Sequence, residues 1–143
     1  MSQTKRPDGE TPLTLLLPFP PSMNTYWRSP SRGALKGRVL ISENGRRFRL
    51  NVIADILDHF NGRTPKPVTG DISLKLVLFP PSNHRRDLDN FIKAIQDALT
   101  HAGIWNDDSQ VKHLDIEWGE KVAGGKSVVT IAPYVRRAVY GCA

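Results

Sequence analysis

Residues 71–103 read "DISLKLVLFPPSNHRRDLDNFIKAIQDALTHAG". The first nine alternate. Ile72, Leu74, Leu76 and Leu78 face one way, Ser73 and Lys75 the other, as in a half-buried strand. Pro80 and Pro81 stop it, because proline cannot donate to a ladder. From about 88 to 102 the period lengthens. Leu88, Phe91, Ile92, Ile95, Leu99 and Ala102 fall on one face of a helix, and Gly103 is placed as the residue that ends it.

The same two periods recur on either side. "LTLLLPF" (13–19) predicts a buried strand, closed by Pro20 and Pro21. Ser42 is placed to cap a helix over 43–60, with Val52, Ile53, Ile56, Leu57 and Phe60 as its apolar stripe. "VKHLDIEW" (111–118) alternates, with Leu114, Ile116 and Trp118 expected inward. Gly124-Gly125 signals a hairpin turn, and "VVTIAPY" (128–134) is a last strand. The order β-α-β-α-β-β predicts an α/β (α+β) fold: two layers, a mixed sheet of about four strands, two main helices on one face. "PSMNTYWRSPSRGALKGR" (21–38) reads as a long loop, and loops of that length are usually functional or disordered.

The 143 residues suit a single domain. Residues 1–12 read as a flexible polar tail, 13–135 as the domain and 136–143 as a C-terminal tail. No apolar run approaches the ~20 residues of a membrane helix, so no membrane partner is expected. The start has no apolar core of a secretory signal. The one cysteine, Cys142, makes neither an internal disulfide nor a thiolate zinc site, which points to a reducing, cytoplasmic setting.

Charge is unevenly placed. From Arg28 to Arg49 stand seven basic residues (Arg28, Arg32, Lys36, Arg38, Arg46, Arg47, Arg49) and one acidic, Glu43; 7 − 1 = +6, the net charge of the whole chain. A concentrated positive field attracts polyanions, and nucleic-acid phosphates are the usual ones. Tyr26 and Trp27 beside it could stack or pack on sugars and bases.

Against this strip stand carboxylates. Asp87 and Asp89 flank Leu88, and Asp107 and Asp108 follow the same helix. Asp89, Lys93 and Asp97 recur every four residues, a polar stripe away from the apolar face. Two readings stay open. In one, Asp87 caps the helix for ~1 kcal/mol, Asp89 suits its dipole and "NDDS" is turn composition. In the other, the acids hold a metal. Two carboxylates ~4 Å apart repel by ~4 kcal/mol at an effective dielectric of ~20, so three together need a cation. Oxygen ligands without sulfur or a close histidine pair suit Mg²⁺, or Mn²⁺, over zinc. A metal beside a basic strip fits phosphodiester hydrolysis, with Lys93 placed to meet developing charge.

Three blocks carry a resemblance: "LPFPPSMNTYWR" (17–28), "RRDLDNFIKAIQDALTHAG" (85–103) and "IWNDDSQV" (104–111). With the order of strands and helices, residues 13–133 resemble the RusA family of Holliday-junction resolvases, found commonly on prophages. The resemblance implies a homodimer that resolves four-way (Holliday) junctions in branched DNA, during recombination and repair, by paired Mg²⁺-dependent hydrolysis. It assigns the catalytic and metal-binding carboxylates to Asp87, Asp89 and Asp108 and the essential lysine to Lys93. It places Arg86 before the acidic pair and sets Asn24 and Tyr26 near the DNA or the active site. Arg86, Arg28, Arg32, Lys36, Arg38, Arg46 and Arg47 are the expected DNA contacts, and Asp107 either assists or shapes its turn. A cytoplasmic enzyme on nucleoid DNA is the expectation. The rivals are a non-catalytic DNA-binding module using the Arg28–Arg49 strip, and a nuclease of flaps or forks.

Overall fold

The structure is a computed structural model and describes residues 12–136. Residues 1–11 and 137–143, which hold most of both expected tails and Cys142, lie outside the described residues. The elements are β1 (Leu13–Leu17), α1 (Met23–Tyr26), β2 (Trp27–Arg28), β3 (Leu40–Ile41), α2 (Glu43–His59), β4 (Ile72–Phe79), α3 (Ile92–His101), β5 (Val111–Trp118) and β6 (Lys126–Pro133). Four strands form one mixed sheet in the order β1-β6-β4-β5. β6 pairs antiparallel with β1 and β4, while β4 and β5 run parallel. A parallel neighbour needs a crossover, and α3 supplies it. The expected α+β fold, with a four-stranded mixed sheet and two main helices, is what the chain adopts.

Alternation decides which face is buried. Leu13, Leu15 and Leu17 of β1, Ile72, Leu74, Leu76 and Leu78 of β4, and Val129 and Ile131 of β6 are all at most 3% exposed. They meet Val52 and Ile56 of α2 and Ala94, Ile95, Ala98 and Leu99 of α3 in one core. α2 starts where expected, because the Ser42 hydroxyl accepts a hydrogen bond from Gly45 N at 2.9 Å. α3 ends where expected too. Gly103 takes φ +82°, its N–H bonds Thr100 O at 3.1 Å, and Ile104 N bonds Leu99 O at 3.2 Å, the paired closure that a left-handed residue permits.

Four expectations change. The helix expected over 88–102 is split: Leu88–Phe91 is a 3₁₀ turn, and α-helix begins only at Ile92. Asn90 N bonding Asp87 O at 3.1 Å closes that tighter turn. Leu114 is not inward but 38% exposed, because β5 is an edge strand that the helices cover only in part. The turn at Gly124-Gly125 forms, with Gly125 N on Val122 O at 2.8 Å, yet it makes no hairpin, since β4 lies between β5 and β6. The long 21–38 loop contains α1, and β2 and β3 pair antiparallel, Trp27 with Ile41 and Arg28 with Leu40. That short ladder clamps both ends of the basic loop 29–39.

Candidate active site

β4 runs out at Phe79, and the chain turns through residues 80–86 before the acidic pair. Arg86 folds this turn. One guanidinium nitrogen donates to Ser82 O at 3.0 Å and His84 O at 3.2 Å, and the other to Ser82 Oγ at 2.9 Å. Its carbon lies 5.7 Å from the Phe19 ring centre. Arg86, expected at the DNA, is therefore half-buried and occupied with its own loop. Beneath sit three rings from distant segments. Phe19 and Phe91 are 5.3 Å apart, Phe91 and Trp118 5.7 Å, and Phe19 and Trp118 6.3 Å. Phe91 is buried and Leu88 packs on the core, so the 3₁₀ turn is anchored by its apolar residues and its aspartates face out.

Asp87 occupies the cap position of that turn with extended backbone, φ −89° and ψ 125°, but its side chain makes no capping hydrogen bond. Asp87 and Asp89 are both exposed. The capping reading of Asp87 thus fails where it is most easily tested, and both carboxylates remain available.

The pair after the helix divides its labour. Asp107 caps a second 3₁₀ turn, Asp108–Gln110. It accepts from Ser109 N at 3.3 Å and from the Ser109 hydroxyl, and those bonds hold its carboxyl below the usual range. Gln110 completes a capping box: its Oε1 accepts from Asn106 N and Asp107 N, both at 2.9 Å. Its amide donates to Val68 O and Gly70 O. Asp107 therefore shapes the turn. Asp108 faces the helix, and Lys93 Nζ stands 3.9 Å from its Oδ2.

Lys93 reaches Asp108 while Asp97, four residues further along α3, is otherwise engaged. Asp97 accepts from Arg49 Nη2 at 2.7 Å and from the Tyr26 hydroxyl, with His101 Nε2 3.8 Å away. Tyr26 is 0% exposed. Burial first, then the Asp97 charge, pushes its hydroxyl above the ordinary phenol range. Tyr26 is thus a core residue and presents no ring face to a base. Trp27 is half-buried beside it, in a T-shaped contact at 4.8 Å. Of the basic strip, Arg28, Arg32, Lys36, Arg38, Arg46 and Arg47 are exposed, as is Asn24, and only Arg49 turns inward. Six outward cations against Glu43 leave 6 − 1 = +5. Arg46 also donates to Ile41 O at 3.1 Å, and Arg47 lies 3.6 Å from Glu43.

Among the described residues no three His, Cys, Asp or Glu side chains stand close enough together to hold a metal ion. By donor type the site nonetheless fits a hard divalent cation. Asp87, Asp89 and Asp108 offer carboxylate oxygens without a capping bond of their own, and such hard donors suit Mg²⁺ or Mn²⁺ over zinc.

A family model described as Endodeoxyribonuclease RusA matches residues 18–132, from the end of β1 to the end of β6. The chain belongs to the RusA family. The crossover junction endodeoxyribonuclease rusA of Enterobacteria phage HK97 is 37% identical over 120 residues, 81% of this chain and 90% of that protein. The enzyme of the same name from Escherichia coli strain K12 is 35% identical over 118 residues, 82% and 92% of the two chains. That of Enterobacteria phage 82 is 35% identical over 117, or 82% and 91%.

In this RusA chain, Gln110 and Asp97 went unassigned in the sequence. The spacing Asp107-x-x-Gln110 is a capping-box pattern and was legible. The Arg49–Asp97–Tyr26 network joins three segments and has no local signature. Among the described residues no helix is long and apolar enough to cross a membrane.

Proposed function

We propose that the chain is a divalent-metal-dependent endonuclease, using Mg²⁺ or Mn²⁺, that acts as a homodimer in the cytoplasm on branched DNA and resolves four-way junctions. Support comes from family membership and from relatives named crossover junction endodeoxyribonucleases. The observation that carries it is Asp87 at a cap position without a cap bond, beside an exposed Asp89 and a Lys93–Asp108 pair. A non-catalytic module whose acids serve only as caps gives no reason for that arrangement.

Each part has a task. The six outward cations of the strip hold backbone phosphates, a sequence-independent attraction that salt weakens. Asp87, Asp89 and Asp108 would hold the metal, which when bound supplies a water of lowered pKa and stabilises charge on the phosphate. Lys93 donates a hydrogen bond toward the phosphate oxygen that gains charge. Asp107 and Gln110 fix the turn that carries Asp108. Arg86 and the three rings fix the turn that carries Asp87 and Asp89. At 3.9 Å, with both side chains 40% exposed or more, the Lys93–Asp108 pair is worth under ~1 kcal/mol, so rearranging it around a substrate costs little.

The test is cleavage of a synthetic four-way junction, compared with flap, fork and duplex at one salt concentration, with Mg²⁺, with Mn²⁺ and with chelator. The expected result is paired nicks in the junction with either metal and none with chelator. Equal cutting of flaps would move the substrate assignment, and cutting in chelator would remove the metal.

A further inference from the structure

Beside the acidic turn lies a cavity whose open space the hydrolysis just described does not use. Pro80, Ser82, Asn83, His84, Arg86 and Trp118 line about 180 Å³ of space. That is below the ~300 Å³ at which drug-sized sites begin, so it takes one ring system rather than a larger ligand. Trp118 is part of the lining, and its ring packs against Phe19 and Phe91. The loop residues of the lining are stiffened by the three hydrogen bonds from Arg86 to Ser82 and His84.

The polar groups at the mouth are specific. His84 Nδ1 is bonded to Ser82 Oγ at 2.6 Å, which orients the ring and leaves Nε2 available. The Asn83 carboxamide is exposed, with no hydrogen-bond partner among the described residues. An indole in the lining, with an amide and an imidazole beside it, can offer a nucleobase an aromatic contact and hydrogen bonds to its edge.

We propose that this cavity receives one unstacked nucleobase of the DNA substrate and selects which phosphodiester is cut; the inference rests on the nuclease reading above. Two features join it to that chemistry. Arg86 lines the cavity and Asp87 is the next residue, so a base seated there brings its own backbone to the carboxylates. A base inside a continuous duplex must first be unstacked and unpaired, and that cost is least where stacking is already broken. The branch point of a junction is such a place. The cavity therefore favours branched over linear DNA and prefers certain bases at the cut.

Photocrosslinking tests this without cleavage. Four-way junctions carrying 5-iodouracil at the branch point or in mid-arm are bound to the full chain in chelator, irradiated, and the crosslinked peptides identified. The expected result is attachment at His84 or Trp118, about tenfold stronger from the branch point. Equal yields from both positions, or attachment elsewhere, overturn the proposal. In parallel, Asn83→Ala and His84→Ala are assayed for the distribution of cuts along a junction of mobile branch point. The ratio of preferred to other sites falls about tenfold, the scale of losing one base contact; an unchanged ratio again overturns the proposal. If the parent cuts no junction at all, the nuclease reading fails and the crosslinks alone decide the cavity.

Discussion

At the scale of single residues, similar side chains carry different duties because of what each touches. Asp107 and Asp108 are adjacent and chemically identical. One is held by Ser109 and Gln110, the other faces Lys93. Composition offered no way to separate them, because the choice is made by one short 3₁₀ turn. Tyr26 makes the same point. An aromatic residue next to a basic strip looks like a stacking platform, but Tyr26 is fully buried and bonded to Asp97. Its ionisation follows. The folded hydroxyl titrates above its unfolded value, so its contribution to stability is present below about pH 10 and is lost as pH rises beyond that. In a phenolate absorbance titration, one of the three tyrosines should ionise only as the fold melts, and Tyr26→Phe should remove that step. Three tyrosines titrating normally in the folded protein would contradict the buried assignment.

At the scale of elements, strands and helices were legible wherever one face alone is buried. β4 reads as alternation and is buried as alternation; α2 and α3 show a helical stripe and clear end signals. Legibility failed at the first turn of α3. The 3₁₀ turn keeps the same apolar spacing at Leu88 and Phe91, so periodicity does not distinguish it from α-helix. It failed again for β5, where Leu114 fits the pattern but lies on an edge. Gly45 gives an element-scale prediction. Inside a helix, Gly→Ala ordinarily gains ~0.8–1 kcal/mol. Here an added Cβ would stand 2.5 Å from the Tyr26 carbonyl oxygen and 2.8 Å from Ile41. Backbone must then shift, at a cost of ~1–3 kcal/mol. Gly45→Ala should therefore destabilise the protein in urea or guanidinium unfolding, despite the better helix former. A gain in stability would mean that α2 does not approach α1 this closely.

At the scale of the whole molecule, the sheet and its helices hold the acidic turn and Lys93 on one framework with the basic strip. The α+β class and the four-stranded mixed sheet followed from the order and period of apolar residues; the strand order, with β5 parallel to β4 and β6 on the other side of β4, did not. The Arg49–Asp97–Tyr26 network did not, because it is made by docking α1, α2 and α3. The exposed strip carries a prediction of its own. Each phosphate contact removed lowers the slope of log affinity against log salt by ~0.9 on duplex DNA. Arg32→Gln with Arg38→Gln should thus flatten the slope by ~2 and weaken all sequences alike; an unchanged slope would take the strip off the DNA. The most direct measurement of the central claim is junction cleavage by Asp89→Asn beside the parent protein in Mg²⁺, with junction affinity measured in parallel. Asp89 is exposed and caps nothing, so the substitution should leave fold and binding intact while cleavage drops by ~100-fold or more. An Asp89→Asn protein that cuts at the parent's rate would contradict the site.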